Sequence, residues 1–546
     1  MLSGCNTAGQ FGLGVLDCAT FGEAETLLLT HSLTGPGREL LPDPGLPGVG
    51  APRMTRATTA RVLVDLSHAA DGYVGVAQDV RLIFSMLCDL PSLDVCGLLM
   101  PTGRHDLPHI RPGRSDGAAL SASVLHWMER SWEPAERRPF PFSMVQRAQT
   151  LRQLLRGRHQ LMPLEDRGQL NALWRILFAK TLAPAERARV LAQSYFATDL
   201  SVSSIIDLCA HPPLPLRKRL EAGGFDAVLF CMPRPVRLPR GVRQIIRFHD
   251  AVAVTDTDTV VGIGWKLALA HSRLVRACAP DAIFVCNSPQ SREGLLSLDP
   301  SREVNAVVIP CAVAPPEQMA DGLDLCAVIR RHLTFRALRR EGAASDWAPP
   351  LGWQPPTQGM RYVLSVSTLE PRKNFPGLIR GWERVIARSD PDLRLVIVGG
   401  PGWREESVLS EMRPGVESGR ILHLQSLPQE ELQALMRHAA CFAFPSFNEG
   451  FGYSPLEAMQ AGAPCVVSDL PVFHWIFGDA ALYVDPYDTD AIATGIERLT
   501  CKPGHAELIA RLRARSARVL SRFRPANVSA AWDGLLQDLP RAGLPR

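Results

Sequence analysis

Short apolar runs alternate with helix-length segments throughout the second half of this 546-residue chain. Strands are predicted at residues 362–368, 394–400, 421–425, 441–445, 465–468 and 481–484, and helices at 375–388, 403–413, 429–439 and 455–461. Continuous apolar strands separated by helices are typical of a parallel sheet that is covered on both faces. The pattern therefore predicts a doubly wound α/β domain, whose ligands lie at the carboxyl ends of the strands.

A similar alternation marks much of the first half of the chain. Strands are predicted at residues 61–67, 95–100, 225–230, 244–250, 281–287 and 306–310, and helices at 76–90, at 265–278 and after Ser288. Residues 102–222 are Arg-rich and are predicted to be a largely helical insertion, because the apolar residues of 144–155 have the spacing of one helix face. We therefore expect two doubly wound Rossmann-like domains that face each other across a cleft, with the active site in that cleft.

The remaining segments divide the chain. Residues 1–57 lack periodicity and are dense in Gly and Pro, so a disordered extension is expected, with Met54 as a candidate for the true start. The N-terminal, acceptor-side domain is assigned to residues 58–315, a Pro-rich linker to 316–357 and the C-terminal, nucleotide-sugar-binding domain to 358–520. Residues 521–546 are expected to form a C-terminal helix and tail.

Composition limits the partners of the chain. A formal charge of +4 over this length is too small to favour nucleic acid. The 13 cysteines form no CxxC pair and no metal-ligand spacing, which is typical of reduced thiols in a cytoplasmic protein. No apolar run approaches the ~20 residues that span a bilayer. The basic amphipathic stretch at residues 144–161 could lie on anionic lipid as a peripheral contact, or it could be an ordinary helix packed on the N-terminal domain.

The segment EGFGYSPLE, residues 449–457, places two carboxylates around a glycine turn at a strand-to-helix junction. The N–H groups of Gly452 and Tyr453 have no acceptor within such a helix, and the helix dipole adds positive charge there. A phosphate or diphosphate is therefore expected at this turn. The flanking carboxylates of Glu449 and Glu457 suggest hydroxyl-rich groups at both ends of the ligand, as in a nucleotide sugar.

The same residues also fit a purely structural interpretation. Ser454 could be the N-cap of the helix, with Pro455 at its first position and Glu457 at its third, which together form a capping box. Glu457 would then cap its own helix. The nine residues alone leave both interpretations open.

Four ordered blocks of the second half resemble a known family: residues 365–374 (SVSTLEPRKN), 393–403 (LRLVIVGGPGW), 444–473 (FPSFNEGFGYSPLEAMQAGAPCVVSDLPVF) and 478–496 (GDAALYVDPYDTDAIATGI). Together they resemble the nucleotide-binding domain of retaining, GT-B-fold glycosyltransferases of family 4, the group 1 glycosyltransferases. The first half resembles the family more thinly, at the glycine turn near Gly75, at RFHDAV and at the FVCNS and VVIP segments. The resemblance implies the GT-B fold.

The resemblance also implies roles for individual residues. Glu449 would contact the transferred sugar, His249 would lie near the reacting centre, and Lys373 would neutralise the donor diphosphate; these three are the expected catalytic residues. The expected donor-binding residues are Arg372, Lys373, Gly452, Tyr453, Ser454, Glu457 and Gly75. Glu457 would hold the ribose hydroxyls, and the backbone at Gly75 would approach the diphosphate.

The implied reaction moves a hexose such as mannose from a nucleotide-diphosphate donor to a glycan or lipid-linked acceptor, with retention of anomeric configuration, in surface polysaccharide biosynthesis. Breaking the sugar–diphosphate bond builds negative charge on the leaving oxygen, which fixed cations and backbone amides stabilise. The resemblance implies no cofactor, no metal and no obligatory protein base, because the leaving phosphate can act as the base. Cytoplasmic location, with a possible peripheral position on the inner membrane face, is expected.

Departures from the family pattern leave one alternative open. Thr368 stands where many members have arginine, Trp475 where an acidic residue is common, Gln425 where glycine is frequent and Ala253 where proline often follows the His-Asp turn. The chain could therefore be a catalytically silent GT-B scaffold that binds a nucleotide sugar or a partner enzyme.

Two other interpretations are weaker. The DTD sequence at residues 256–258 matches the metal motif of the GT-A fold, but such triplets occur often by chance. A dehydrogenase is disfavoured because the first strand-to-helix turn lacks GxGxxG.

Overall fold

The computed structural model describes residues 59–70, 75–101, 158–164, 170–200, 202, 205, 218–255, 264–314, 324–338, 359–400, 402 and 405–539. The predicted N-terminal extension, the amphipathic helix face within residues 144–155 and the DTD sequence lie outside the described residues.

The described residues form one large sheet in the first half of the chain. Its strands, together with a separate two-stranded ribbon, are β1 (Ala60–Asp65), β2 (Leu93–Leu99), β3 (Arg158–Gln160), β4 (Met162–Pro163), β5 (Ser194–Ala197), β6 (Arg219–Glu221), β7 (Ala227–Phe230), β8 (Arg243–Phe248), β9 (Ile283–Cys286) and β10 (Ala306–Val308). The eight-stranded sheet has the order β10-β9-β8-β7-β1-β2-β5-β4, while β3 and β6 form the ribbon. All pairs in the sheet are parallel except β4 with β5 at one edge.

Helices connect these strands. They are α1 (Gly75–Cys88), α2 (Leu170–Leu173), α3 (Arg187–Leu191), α4 (Val252–Thr255), α5 (Gly264–Ala277) and α6 (Pro289–Leu298). From β1 the chain builds outward through β2 to β5 and then returns to build the other half of the sheet from β7. The sheet therefore has its topological switch point between β1 and β7, where ligands of doubly wound sheets bind.

The second half forms a six-stranded parallel sheet of β11 (Tyr362–Val366), β12 (Arg394–Val398), β13 (Ile421–Leu424), β14 (Cys441–Phe444), β15 (Cys465–Ser468) and β16 (Leu482–Val484). Its order, β13-β12-β11-β14-β15-β16, is that of a dinucleotide-binding sheet. The helices are α7 (Leu325–Leu338), α8 (Phe375–Arg388), α9 (Glu405–Glu417), α10 (Gln429–His438), α11 (Tyr453–Gln460), α12 (Pro471–Phe477), α13 (Thr489–Thr500), α14 (His505–Ser521) and α15 (Pro525–Gln537). The switch point lies between β11 and β14.

Apolar residues of these strands are buried on both faces, as a sheet covered by helices requires. Strand β14 is buried at every position, with Phe442 and Phe444 on one face and Cys441 and Ala443 on the other. The apolar pattern of the strands therefore sets the register of the sheet and places one hydrophobic core on each of its faces.

The predicted helical insertion at residues 102–222 is wrong in part. Its described residues include four short strands, and β5 joins the main sheet beside β2. Strand β5 has the sequence SYFA, and four residues are too few for periodicity to distinguish a strand from a helix segment.

Two helices lie outside the domain boundaries that the sequence suggested. Helix α7 lies within the predicted linker and packs on the C-terminal sheet, with Ile329 and Leu333 in the core around β13 and α10. Helix α15 instead returns to the N-terminal domain, where Trp532 is fully buried in the core beside α1. The last helix, which lies within the C-terminal helix and tail predicted for residues 521–546, is therefore part of the N-terminal domain in space.

Among the described residues, no helix has the length and apolarity to cross a bilayer. The ten described cysteines are free thiols.

Candidate active site

The switch point of the C-terminal sheet carries Lys373 on the loop after β11. A 3-10 turn, Pro371–Lys373, leads to Asn374, which has a left-handed backbone (φ 54°) and caps helix α8 by accepting a hydrogen bond from Gly377 N at 3.1 Å. The Asn374 amide also donates to the carbonyls of Pro445 at 3.0 Å and Pro486 at 2.7 Å. Asn374 thereby fixes the lysine loop against the loop that follows β14.

Lys373 and Glu449 meet at this point. Lys373 Nζ lies 2.7 Å from Glu449 Oε1 and 5.0 Å from the centre of the Phe444 ring, and both charged side chains are largely buried. Burial and the neighbouring Arg372 lower the pKa of Lys373, while the carboxylates of Glu449 and Glu370 oppose that drop. The ammonium group is thus held in a water-poor position where a developing negative charge would be stabilised strongly.

Arg372 lies behind this pair. Its Nη1 is 2.7 Å from Glu449 Oε1 and 3.2 Å from the carbonyl oxygen of Asn448, and its Nη2 pairs with Glu370. The side chain is fully buried. In this structure Arg372 holds Glu449 and the 448–449 turn; the predicted contact of Arg372 with the donor stays a prediction.

Helix α11 begins at Tyr453 and has Gly452 as its N-cap, with a left-handed backbone (φ 110°). A Cβ atom at Gly452 would lie 2.6 Å from Cε1 of Phe473, so both conformation and space require glycine. The first-turn N–H groups, those of Tyr453 and Ser454 included, have no acceptor within the helix. The predicted glycine turn at the helix start is confirmed.

The capping-box interpretation is wrong. Ser454 and Pro455 lie inside the helix rather than at its cap, and the N-cap makes no side-chain hydrogen bond. Glu457 instead accepts a 2.6 Å hydrogen bond on Oε1 from Gln78 Nε2 of helix α1, across the cleft. The helix starts two residues earlier than the motif suggested because glycine reaches the left-handed conformation more easily than serine.

Glu457 also lines a shallow groove between α10, α11 and the segment after β10. The other residues of the groove are Ala314, Gln429, Gln433, Arg437, Gln460 and Ala461. Burial raises the pKa of Glu457 to about 7, and the hydrogen bond from Gln78 opposes that rise. The groove thus offers one titrating carboxyl group and several amide groups.

This pKa predicts a pH dependence of stability. The carboxyl of Glu457 binds a proton more tightly in the folded chain (about 7) than at its ordinary value of 4.5, so the unfolded chain binds fewer protons between these values. Stability therefore falls as pH rises through this window. Glu457→Gln should remove that component, whereas Glu411→Gln on the exposed face of α9 should not. Urea midpoints measured from about pH 4.5 to about pH 7 test this; equal slopes in the wild type and Glu457→Gln would contradict it.

His249 follows β8 on the opposite side of the cleft. It is buried, and its Nδ1 lies 3.9 Å from Asp79 Oδ2. Burial lowers the pKa of His249 to about 4, so the ring is neutral near pH 7. Its Nε2 has no hydrogen-bond partner among the described residues. A neutral imidazole with one unused nitrogen is therefore available at the cleft.

Asp79 joins both domains in one buried network. Arg247 donates to its carboxylate from Nε at 2.7 Å, and the Tyr453 hydroxyl donates to Oδ1 at 3.2 Å. Burial opposes ionisation of Asp79, but Arg247 and His249 outweigh it and hold its pKa below the usual value. The start of helix α11 is thus bonded to helix α1 through a carboxylate.

Gly75 starts helix α1 and faces the same tyrosine. A Cβ atom at Gly75 would lie 3.0 Å from Cδ2 of Tyr453, so the two helix starts come together across the cleft. The sequence placed Gly75 in a loop, but it is the first residue of the helix. Its predicted contact with the diphosphate stays a prediction.

The segments that follow β8 and β9 both pack against the Glu449 turn. Ser288 Oγ donates to the carbonyl oxygen of Gly450 at 2.8 Å, and a Cβ at Gly450 would lie 2.8 Å from the carbonyl oxygen of His249. Burial raises the pKa of Asp250 well above its usual range, and its Oδ2 has no hydrogen-bond partner in the described part of the chain. The His249–Asp250 segment therefore lies against Gly450, the residue next to Glu449.

Sequence reasoning missed Gln78, Asp79 and Asp250. The available signal for the first two was a polar pair in the first turns of an otherwise apolar helix, GVAQDVRLIFSMLC. For Asp250 the available signal was its position as the second polar residue directly after a buried strand. Within the described ranges, no group of three or more His, Cys, Asp or Glu residues could hold a metal ion.

Comparison with known proteins gives the context for this site. The family model described as "Glycosyl transferases group 1" matches residues 354–517. O-antigen chain mannosyltransferase B of Escherichia coli is 36% identical over 146 residues, which are 27% of this chain and 37% of that protein. O-antigen chain mannosyltransferase RfbU of Salmonella typhimurium is 32% identical over 145 residues, which are 26% of this chain and 39% of that protein. The matches thus span less than two fifths of these relatives.

The fold has a wider match. Sucrose-phosphate synthase of Thermosynechococcus elongatus superposes with a TM-score of 0.50 at 14% identity, covering 88% of this chain and 99% of that one. The predicted GT-B architecture, two doubly wound domains across a cleft, is confirmed. The residues from the lysine loop through the Glu449 turn to helix α13 all lie within residues 354–517, the part of this chain that matches the model of the group 1 glycosyltransferases.

Proposed function

We propose that this chain is a retaining hexosyltransferase that moves a sugar, mannose as the first candidate, from a nucleoside-diphosphate donor to a glycan or lipid-linked acceptor. The observation that carries the proposal is the buried Lys373–Glu449 pair at the β11–β14 switch point, next to Gly450, which packs against the carbonyl oxygen of His249. The names of the two mannosyltransferases support the choice of sugar and a role in surface polysaccharide synthesis.

The donor diphosphate would bind at the start of helix α11. Its negative charge suits the free N–H groups and the positive end of the helix dipole. Lys373 would offset the charge that grows on the leaving oxygen, and Glu449 would contact the sugar, which becomes positively charged in the transition state. Because Lys373 and Glu449 already touch, the cation and the anion are placed side by side before the donor arrives.

The nucleoside would occupy the groove beside Glu457. Ribose hydroxyls donate hydrogen bonds, so they would replace the Gln78 amide on the Glu457 carboxylate. Loss of the proton from Glu457 would accompany this exchange, because its pKa of about 7 in the free chain falls when donors approach.

Retention would follow from attack of the acceptor hydroxyl on the face from which the diphosphate departs. The departing phosphate would take the hydroxyl proton, and neutral His249 would orient the reacting groups through its Nε2. The proposed reaction needs no metal ion or cofactor.

The decisive experiment incubates the full chain with GDP-linked and UDP-linked hexoses and a candidate lipid-linked acceptor. Release of nucleoside diphosphate and an NMR coupling constant for the new linkage report transfer and stereochemistry. Glu449→Gln should abolish release, while Glu411→Gln should not. Nucleotide binding without turnover would favour the silent scaffold, inversion of configuration would overturn retention, and loss of activity in EDTA with rescue by Mn²⁺ would overturn metal independence.

Peripheral membrane association is a separate part of the proposal. Sedimentation with anionic and neutral liposomes at physiological salt tests it, and recovery of the whole chain in the supernatant in both cases would remove it.

A further inference from the structure

The N-terminal sheet has its own switch point, between β1 and β7, and buried polar residues gather there. Asp65 ends β1, and His68 lies in the 3-10 turn that follows. Cys231 and Arg234 follow β7. All four are at most 3% exposed. Ligands of doubly wound sheets bind at such points, yet the donor site of the proposed reaction lies on the other sheet.

Arg234 is the unusual member of this cluster. Its side chain is fully buried, and its Nη2 donates to His68 Nε2 at 3.0 Å. Its Nε lies 3.9 Å from Asp65 Oδ2, which is beyond hydrogen-bond distance, and neither Nε nor Nη1 has a hydrogen-bond partner among the described residues. A guanidinium group is always charged in proteins. A buried cation with unused N–H donors is costly unless an anion completes its surroundings.

The protein's own carboxylate satisfies this arginine only in part. Asp65 Oδ1 accepts from the Ser67 backbone N at 2.9 Å, and Oδ2 accepts from Cys231 Sγ at 3.1 Å. Asp65 is therefore held by other donors, while Nε and Nη1 of Arg234 have no hydrogen-bond partner among the described residues. Arginine forms short, strong hydrogen bonds with the oxygens of phosphate and carboxylate groups.

The cluster adjoins the cleft at His249. Burial lowers the pKa of His249, the His68 ring contributes to the lowering, and the Cys231 backbone hydrogen-bonds to His249. Arg234 contacts His68, and His68 in turn lowers the pKa of His249. A single side chain, that of His68, therefore lies between Arg234 and the His249 imidazole. An anion on Arg234 would be close to the reacting centre but on the N-terminal side of the cleft.

We infer that Arg234, steadied by His68, binds an oxyanion of the acceptor substrate, a phosphate or a carboxylate, and so directs the acceptor hydroxyl toward His249. The inference rests on the proposed function and names the acceptor as an anionic one. It assigns Arg234 a binding role that the sequence motifs did not indicate.

The test follows thermal unfolding of the full chain during titration with inorganic phosphate, at a saturating concentration of the nucleoside diphosphate that fills the donor site. The midpoint should rise with phosphate, since a ligand of the folded state stabilises it. Arg234→Gln should weaken phosphate at least about tenfold, because it removes charged hydrogen bonds. Arg240→Gln, an exposed arginine in the same segment, is the matched control and should behave as the wild type.

Two further variants and a second anion distinguish the possible explanations of the result. If Arg234→Gln does not fold, Arg234→Lys keeps the charge, loses the planar group and should also weaken phosphate. Lys373→Ala should weaken the nucleotide-dependent shift but keep the phosphate shift, which separates failure of this inference from failure of the proposed function. A parallel titration with acetate identifies the source: a response to phosphate alone indicates a phosphorylated acceptor, and a response to acetate indicates an acidic sugar. No shift with either anion, or equal shifts in the wild type and Arg234→Gln, would overturn the inference.

Discussion

Lys373→Ala is expected to lower the turnover number for sugar transfer by about 10²–10³-fold, the usual cost of removing one group that stabilises developing negative charge. The chain should still fold, because Arg372 also holds Glu449 Oε1 and Asn374 independently ties the loop to the carbonyls of Pro445 and Pro486. Loss of activity would therefore report the missing ammonium charge. The measurement is steady-state release of nucleoside diphosphate at saturating donor.

Two further variants sharpen this result. Lys373→Arg keeps the positive charge and should recover part of the lost rate, because guanidinium also binds phosphate. Lys502→Ala removes an exposed lysine that pairs with Glu497 in the same domain, so transfer should be unchanged. A Lys373→Ala enzyme with wild-type turnover would show that the leaving group is stabilised elsewhere.

Asp79→Asn is expected to lower the free energy of unfolding by about 3–5 kcal/mol, the range for breaking a buried ion pair on one side. The substitution leaves the Arg247 guanidinium buried and without its carboxylate, and it keeps the size of the side chain. Arg247 is 1% exposed and also donates to the carbonyl oxygen of Ile309 at 2.6 Å. The Arg247 guanidinium therefore cannot be solvated by water in the folded chain, and the midpoint of urea denaturation should fall markedly.

The control is a pair of matched variants. Removing both charges, in Asp79→Leu with Arg247→Met, should recover most of the lost stability, since a buried ion pair replaced by apolar side chains is often neutral. Glu411→Gln breaks the half-exposed Arg380–Glu411 pair and should cost about 0–1 kcal/mol. If Asp79→Asn lowers the free energy of unfolding no more than Glu411→Gln does, Asp79 and Arg247 do not form a buried ion pair in solution.

The two charged residues that the sequence predicted at the centre of the site, Lys373 and Glu449, both lie just after strands. Lys373 and Glu449 each follow a strand of the C-terminal sheet, and parallel strands β11 and β14 are neighbours. Their carboxyl ends therefore meet at one edge, and the 2.7 Å contact follows from strand order. Glu457 was predicted instead from its position after the glycine turn and from the family resemblance. Its partner Gln78 lies 379 residues away in the chain and could not be predicted from the local sequence.

The direction in which the Arg372 side chain points could not be predicted from its motif. Its position beside Lys373 suggested a second phosphate ligand, whereas the structure turns its guanidinium inward to Glu449 and Glu370. Adjacent residues in a 3-10 turn point in different directions, and only the packing of the turn decides which one faces the cleft. The short strand β5, SYFA, was missed because four residues carry too little periodicity to identify a strand.

The sequence alone determined the alternation of strands and helices, the two-sheet architecture and the glycine turn at residues 449–457, because apolar spacing and backbone freedom are local properties. Only the tertiary structure decided how the two sheets face each other, and it brought Tyr453 to Asp79, Gln78 to Glu457 and helix α15 back to the first domain. It also left Arg234 buried with unused donors. Such pairings join residues far apart in the chain and depend on burial and charge, which no local pattern records.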